Sequence, residues 1–228
     1  MKDWKKQCAA VIPCYNEAGK IGAVVGNVRR YLDVVIVVDD GSSDATAAEA
    51  AAAGAVVTRH PANRGKGCAL RSGWDQARQA GFEWALALDG DGQHDANDIL
   101  QFLHCAEVTS AHLIIGNRMD DARKMPRMRR WANTTMSRWL SRLTNTKLPD
   151  SQCGFRLVHL PTVTRLAPAS RRFVIESETL VAFLLAGEQV EFVSVRVIYG
   201  PGKSRICPLR DTFRWLRWWA AQLRATPS

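Results

Sequence analysis

The residues with most chemistry in them are Asp89, Gly90, Asp91, Gly92 and Gln93, reached directly from the apolar run Trp84 to Leu88. Two carboxylates one residue apart at the tip of a buried strand repel each other and lose hydration. The arrangement becomes favourable when a hard divalent cation lies between them and the anionic oxygens of a ligand. Mg²⁺ takes one or two carboxylates and fills its remaining positions with water and phosphate oxygens; Mn²⁺ accepts the same donors. Gly90 and Gly92 clear side chains from the intervening positions, so a ligand can come close to the backbone. Gln93 offers a neutral carbonyl oxygen. A surface turn also uses Asp and Gly, but the apolar strand before these residues and the motifs elsewhere favour a metal site.

Those motifs need a scaffold that gathers them. Cys8 to Ile12 reads as a buried strand closed by Pro13, and Val34 to Val38 is a β-branched run that suits a strand buried on both faces. Ala55 to Thr58, Trp84 to Leu88 and His112 to Ile115 read as three more strands. Between them the pattern predicts helices over Glu17 to Tyr31, an Ala-rich stretch capped by Ser43 or Asp44 and ended by Gly54, Lys66 to Ala80, and about Asp95 to Glu107. Strands alternating with helices imply an α/β fold with a mostly parallel central sheet flanked by helices. Ligands of such sheets bind beyond the carboxyl ends of the strands. Cys14 to Glu17, Asp39 to Asp44, Asn63 to Gly67 and Asp89 to Gln93 are therefore expected on one rim. Asp39 and Asp40 suit hydrogen bonds from a ribose or base edge. Asn63-Arg-Gly-Lys66-Gly opens a helix with cations and glycines, which suits an anion or base edge.

Past Gly116 the pattern changes. Arg118 to Arg130 reads as a basic loop, Ala132 to Leu143 and Ser177 to Ala186 as helices, Phe155 to Val158 and Gln189 to Tyr199 as strands. No linker or repeat interrupts the 228 residues, so a single domain is expected: 1–117 as one half, 118–205 as a second half and 206–228 as a C-terminal amphipathic helix. The six cysteines are scattered without a C-x-x-C pair, which fits a reducing compartment. No apolar run approaches the roughly 18 to 20 residues that cross a bilayer, and the basic start lacks the apolar core of a signal peptide. A cytoplasmic protein is expected, peripheral on the cytosolic membrane face.

The net charge of +9 is unevenly spread. Residues 117–147 carry net +7 and 203–224 net +5, leaving the rest at −3. Basic charge gathered in two late segments points to an anionic partner. Pro208 suits the first turn of a helix running to about Arg224. On it Leu209, Phe213, Leu216, Ala220 and Leu223 form one stripe, while Arg210, Arg214, Arg217 and Arg224 share another arc. The expected arrangement packs the Leu/Phe stripe on the core and turns arginines and some of the tryptophans 215, 218 and 219 toward an anionic membrane surface.

Four motifs in order, I-P-C-Y-N-E, V-V-D-D-G-S-S-D-x-T, N-x-G-K-G and L-D-G-D-G-Q-H-D, together resemble the family 2 inverting glycosyltransferases of the GT-A fold. The nearest group in that resemblance is the dolichyl- or polyprenyl-phosphate mannosyl and glucosyl synthases. Gly116-Asn-Arg118, Asp150-Ser-Gln-Cys-Gly-Phe-Arg156, Glu176-Ser-Glu178 and Gly202-Lys-Ser-Arg205 agree with it, so it spans Val11 to Arg205. The resemblance implies that Pro13, Tyr15, Glu17, Asp39, Asp40, Asn63, Lys66, Asp89 and Gly90 hold the nucleotide-sugar. It implies Asp89, Asp91 and Gln93 as ligands of Mg²⁺ or Mn²⁺. Asp91, Asp150, Arg118 and Arg156 would form the reacting end. Arg118 and Arg156, with Lys203, Ser204 and Arg205, would meet the phosphate of the acceptor. Ala96 departs from the proline usual at its position, and no membrane-spanning helices follow the motifs.

The implied activity is transfer of a hexose from a GDP-mannose or UDP-glucose type donor to a lipid-linked acceptor, polyprenyl phosphate in the first instance, with inversion. A phosphate acceptor is already ionised, whereas a hydroxyl acceptor on another lipid or a soluble molecule needs a general base, for which Asp150 is the candidate. The competing role for Asp150 is structural, fixing the turn at Cys153, Gly154 and Phe155. Glu176 and Glu178 divide in the same way between a site role and helix capping, and His94 and His104 read as ordinary polar residues. A rival from another class is an inactive transferase fold that binds anionic membranes or nucleic acid; the intact D-G-D-x-Q motif argues against it, and no nucleic-acid partner is expected. A nucleotidyltransferase would carry an early Gly-rich phosphate loop, which Pro13 to Glu17 does not match.

Overall fold

The computed structural model describes residues 3–120, 125–198 and 208–225; within the last stretch it describes the side chains of 213–222. Strands β1 (Cys8–Cys14), β2 (Val35–Asp39), β3 (Val56–Arg59), β4 (Trp84–Ala87), β5 (Leu113–Asn117), β6 (Arg156–His159) and β7 (Val190–Ser194) form one seven-stranded sheet in the order β3-β2-β1-β4-β6-β5-β7. Every pairing is parallel except those of β6, which runs antiparallel to both β4 and β5. The expected mostly parallel α/β architecture is thus present. β2, β4 and β5 are buried along their whole length, because uninterrupted apolar sequence leaves no face for water.

Helices α1 (Trp4–Gln7), α2 (Ile21–Val28), α3 (Thr46–Ala52), α4 (Lys66–Gln79), α5 (Ile99–Val108), α6 (Arg127–Thr144), α7 (Leu160–Leu166), α8 (Val174–Leu185) and α9 (Pro208–Ala225) complete the fold. α4 lies against β1 and β2 and also touches α7 and α8, while α6 and α9 pack on α8. Several boundaries differ from the sequence reading. α2 is shorter at both ends, since residues 17–20 form a turn with Gly19 at φ +79°. α3 starts at Thr46 with Asp44 accepting from the Thr46 backbone N–H at 3.0 Å, so Asp44 caps it from one residue farther out than expected. α6 begins at Arg127, inside the segment read as a loop, and α7 was not expected at all. The last strand stops at Ser194; Val197 then makes an antiparallel bridge to His94.

α9 presents a different face from the one the sequence suggests. Trp215 is buried, and Trp218 and Trp219 pack against the core, whereas Phe213 is 62% and Leu216 36% exposed. The physical reason lies in α6 and α8. Trp139 of α6 packs on Trp219 in a tilted arrangement with ring centroids 4.9 Å apart and meets Trp215 at 5.9 Å, and Trp215 Nε1 donates to Ser177 Oγ of α8 at 2.8 Å. Indoles bury more area than leucines and favour an acceptor when buried; Trp215 finds both, while Trp218 and Trp219 contribute buried area. Leu209, Arg210, Leu223 and Arg224 lie outside the described side chains. Trp215→Phe keeps a ring and loses the hydrogen bond. It is expected to cost about 1 kcal/mol, read as a lowered urea midpoint with donor affinity unchanged.

Candidate active site

The rim expected from the strand order exists, and its loops are tied to one another. At the end of β1, Asn16 adopts φ +52°, a left-handed conformation that asparagine tolerates. Its backbone N–H donates to Ser42 Oγ and its Oδ1 accepts from Ser43 N, which joins the β1 loop to the β2 loop. Asp40 N–H donates to Cys14 O at 2.8 Å. The Asp40 carboxylate accepts from Arg64 N and Gly65 N at 2.9 and 2.7 Å and meets His60 Nδ1 at 2.7 Å. Asp40 is almost fully buried; the geometry gives it the job of pinning the 63–67 loop, not of reading a nucleotide edge. Asp39 is also buried, accepting from Ser42 N and facing Arg59 at 3.2 Å. Tyr15 and Asn63 are exposed on the same rim, while Glu17 is buried with Lys20 3.5 Å away and Pro13 is half-buried in β1.

Asp89 and Asp91 follow β4. Asp89 is a third exposed and pairs with Lys66 Nζ at 2.5 Å, and Lys66 also meets Glu176 Oε1 at 2.7 Å. Burial works against the Lys66 charge, but the Asp89 and Glu176 carboxylates outweigh it and raise its pKa. Burial likewise opposes the Asp89 charge, and Lys66 and His94 outweigh that, holding its carboxyl far below the usual range. His94 was read as an ordinary polar residue; its side chain is buried and its Nε2 lies 3.5 Å from Asp89 Oδ2, with the ring against Phe155. Its adjacency to the D-G-D-G-Q run was the signal that could have found it. Asp91 Oδ1 accepts from Gln93 N at 3.0 Å, which curls the loop back on itself.

By residue type the expected donor set suits Mg²⁺ or Mn²⁺: two carboxylates and an amide carbonyl, all hard oxygens. A Cβ on Gly154 would come within 2.9 Å of Asp89 Oδ2 and 2.8 Å of Lys66 Nζ, so glycine there keeps the flank of Asp89 open. Among the described residues no group of three His, Cys, Asp or Glu gathers into a protein cage.

The opposite flank is built by β5 and the segment before β6. Asp150 is fully buried and accepts from Arg118 Nε at 2.7 Å, Arg118 Nη2 at 2.9 Å, Arg118 N at 3.1 Å and Gln152 N at 3.1 Å. Burial pushes its pKa up, and the guanidinium more than reverses that. The Asp150 carboxylate thereby ties Arg118, which follows β5, to the turn at Gln152. Arg156 needs a correction. It is buried, and its guanidinium donates to three backbone carbonyls, of Cys153, Glu176 and Ser151, at 2.7, 2.6 and 2.9 Å. It clamps the 151–156 turn to α8 instead of meeting phosphate. Glu178 caps backbone N–H groups of Ala169 and Ser170. Lys203, Ser204 and Arg205 lie outside the described residues.

A mostly parallel sheet that opens its β1, β2 and β4 loops onto one rim, with paired carboxylates beside a lysine, is the build of a nucleotide-sugar transferase of the GT-A kind. The family model for glycosyl transferase family 2 matches residues 9–161, and the chain belongs to that family: it is a glycosyltransferase. It is 27% identical over 212 residues to a UDP-N-acetylglucosamine–dolichyl-phosphate N-acetylglucosaminyltransferase of Methanococcus voltae, covering 83% of this chain and 84% of that one. It is 28% identical over 163 residues to an undecaprenyl-phosphate mannosyltransferase of Micrococcus luteus, covering 67% of this chain and 66% of that one. Among solved structures, glucosyl-3-phosphoglycerate synthase from Mycobacterium tuberculosis, in complex with Mn²⁺, UDP and phosphoglyceric acid, superposes with a TM-score of 0.72 at 19% identity, over 97% of this chain and 80% of that one. That likeness is one of fold.

Proposed function

We propose that this glycosyltransferase moves a hexose, with inversion and with a divalent cation, from a nucleotide-sugar to the phosphate of a polyprenyl phosphate. The observation that carries the reading is the Asp89–Lys66 pair at the rim of the sheet, with Asp91 and Gln93 in the same loop. The dolichyl- and undecaprenyl-phosphate substrates in the names of the Methanococcus and Micrococcus relatives support the acceptor class. When bound, the metal supplies neutralising charge to the leaving diphosphate. Asp89, Asp91 and Gln93 hold it, Lys66 adds positive charge beside the diphosphate, and Tyr15, Glu17 and Asp39 line the nucleotide side. Asp40 keeps the Lys66 loop in place. Arg118, held rigid by Asp150, presents charge on the acceptor side; Lys203, Ser204 and Arg205 join it in the reading from the resemblance. With Asp150 enclosed by Arg118, the geometry favours a phosphate acceptor that arrives ionised over a hydroxyl that must be deprotonated. Residues 1–117 form the donor half and 118–205 the acceptor half in this proposal. Hydrolysis of labelled nucleotide-sugars without acceptor tests it against an inactive binding module: slow hydrolysis that stops with a chelator is expected, and none under any metal would sink it.

The same proposal places the protein at a membrane surface. No helix among the described residues is long and apolar enough to cross a membrane. Exposed Phe213 and Leu216 on α9, and Trp131 and Met128 on α6, stand among Arg127, Arg129, Arg130, Arg214 and Arg217. Apolar side chains set among arginines suit an anionic leaflet. Co-sedimentation with phosphatidylglycerol vesicles is expected to retain the wild type at low salt and release it at high salt, and a Phe213→Asp, Leu216→Asp variant is expected to stay in the supernatant. Equal recovery of the two proteins contradicts the surface assignment.

A further inference from the structure

Lys66 is shared between Asp89 and a second carboxylate, Glu176, and the surroundings of Glu176 hold an unexplained feature. Its Oε1 faces Lys66 at 2.7 Å, while its Oε2 is buried without a hydrogen-bond partner among the described residues. Trp74 Nε1 and Thr179 Oγ1 are buried and unpartnered in the same way. All three side chains line one cavity of about 10 Å³, together with Ala87 of β4 and Arg156 and Val158 of β6. An indole N–H, a hydroxyl and a carboxylate oxygen are each costly to bury unsatisfied. A single water needs roughly 10–15 Å³ and two to four polar partners; this cavity is at the lower end of that volume, and three side chains with unsatisfied polar atoms line it. The three groups also have complementary capacities, one donor only, one acceptor only and one of either kind.

We infer that the cavity holds one structural water, accepting from Trp74 Nε1–H and donating to Glu176 Oε2 and Thr179 Oγ1, and that Glu176 so fixed is a positioning residue that retains Lys66 when Asp89 turns to a divalent cation. Lys66 Nζ lies 2.5 Å from Asp89 Oδ1, so cation and ammonium compete for one carboxylate. Glu176 gives the ammonium a second anion within reach. It is buried and acts through Lys66. A neutral residue at 176 would leave Lys66 with Asp89 alone, and the metal would have to displace it.

The metal part rests on Asp89 and Asp91 holding the cation, as proposed above, and the test separates the two. Mn²⁺ alone is titrated into the full chain and free Mn²⁺ is read by electron paramagnetic resonance. Asp91→Ala is expected to bind none. Glu176→Gln, isosteric with the native residue, is expected to bind about 10–100-fold more weakly, the usual scale for a residue that orients a metal ligand. Lys66→Gln is expected to bind more tightly than wild type; the opposite signs exclude general loss of structure, and melting temperatures without metal record folding directly. Wild-type affinity in Glu176→Gln overturns the positioning role. A wild type that binds no Mn²⁺ overturns the metal reading and the positioning role with it. Diffraction from crystals of the wild type is expected to show the water at about 2.8–3.0 Å from Trp74 Nε1, Thr179 Oγ1 and Glu176 Oε2, and from Thr179→Val to show it lost or displaced. A dry cavity in the wild type overturns the water.

Discussion

Asp91→Ala is expected to abolish metal-dependent donor binding and to lower turnover by about 10²–10³-fold or more, the scale on which one preorganised electrostatic partner is felt. The fold should survive. Asp91 sits at the rim, partly exposed, and its hydrogen bond is to the backbone of Gln93 in the same loop. Surface changes of this kind usually shift stability by no more than about 0.5 kcal/mol, and here a carboxylate is removed from beside another. Calorimetric titration of a nucleoside diphosphate with and without Mn²⁺ checks the first part, and thermal melting the second. Normal metal dependence in the variant would mean that the carboxylate pair has been misassigned.

The other large effect is on stability. Asp150→Ala leaves the Arg118 guanidinium, 18% exposed, without its bidentate partner, which is expected to cost somewhat less than the roughly 3–5 kcal/mol of breaking a fully buried pair. Asp150→Asn removes the charge and keeps the shape. Because burial is outweighed by Arg118 and the folded carboxyl titrates below its unfolded value, the unfolded chain binds more protons on acidification. The stability from this pair is therefore complete above the ordinary carboxylate range and fades as pH falls through it toward the folded value. Urea midpoints at pH 7 and at about pH 3 should draw wild type and Asp150→Asn together at the lower pH. A midpoint difference that does not change with pH would contradict the pair as the source. Turnover of Asp150→Asn near normal, once stability is matched, is the result expected for a residue that is not a base.

Much of the fold of residues 1–117 could be read from residue order. Apolar runs such as Val34 to Val38 have no amphipathic alternative, so they fix buried parallel strands, and the rim rule then gathers Cys14, Asp39, Lys66 and Asp89 from distant sequence. The rest depended on long-range partners that local pattern does not encode. The antiparallel insertion of β6 between β4 and β5 is set by tertiary packing, and nothing in Arg156 to His159 marks its direction. Arg156 and Asp40 look like ligand-binding residues by type; their burial against backbone carbonyls and N–H groups becomes visible only when the turn and the loop are closed. The face of α9 was misjudged because a Leu/Phe stripe is the ordinary core signal, while Trp139 and Ser177, which capture the tryptophans, are far away in the chain.

The central claim is metal-dependent glycosyl transfer onto a lipid phosphate, and one assay addresses it directly. Purified protein is incubated with polyprenyl phosphate in vesicles and, in turn, labelled GDP-mannose, UDP-glucose and UDP-N-acetylhexosamine, with Mn²⁺ or Mg²⁺ or with a chelator. The predicted result is label from one donor moving into the lipid phase as a glycosyl phosphate with inverted anomeric configuration, only when metal is present. Transfer that proceeds equally in chelator, or label that stays in the aqueous phase for every donor and both metals, would contradict the account.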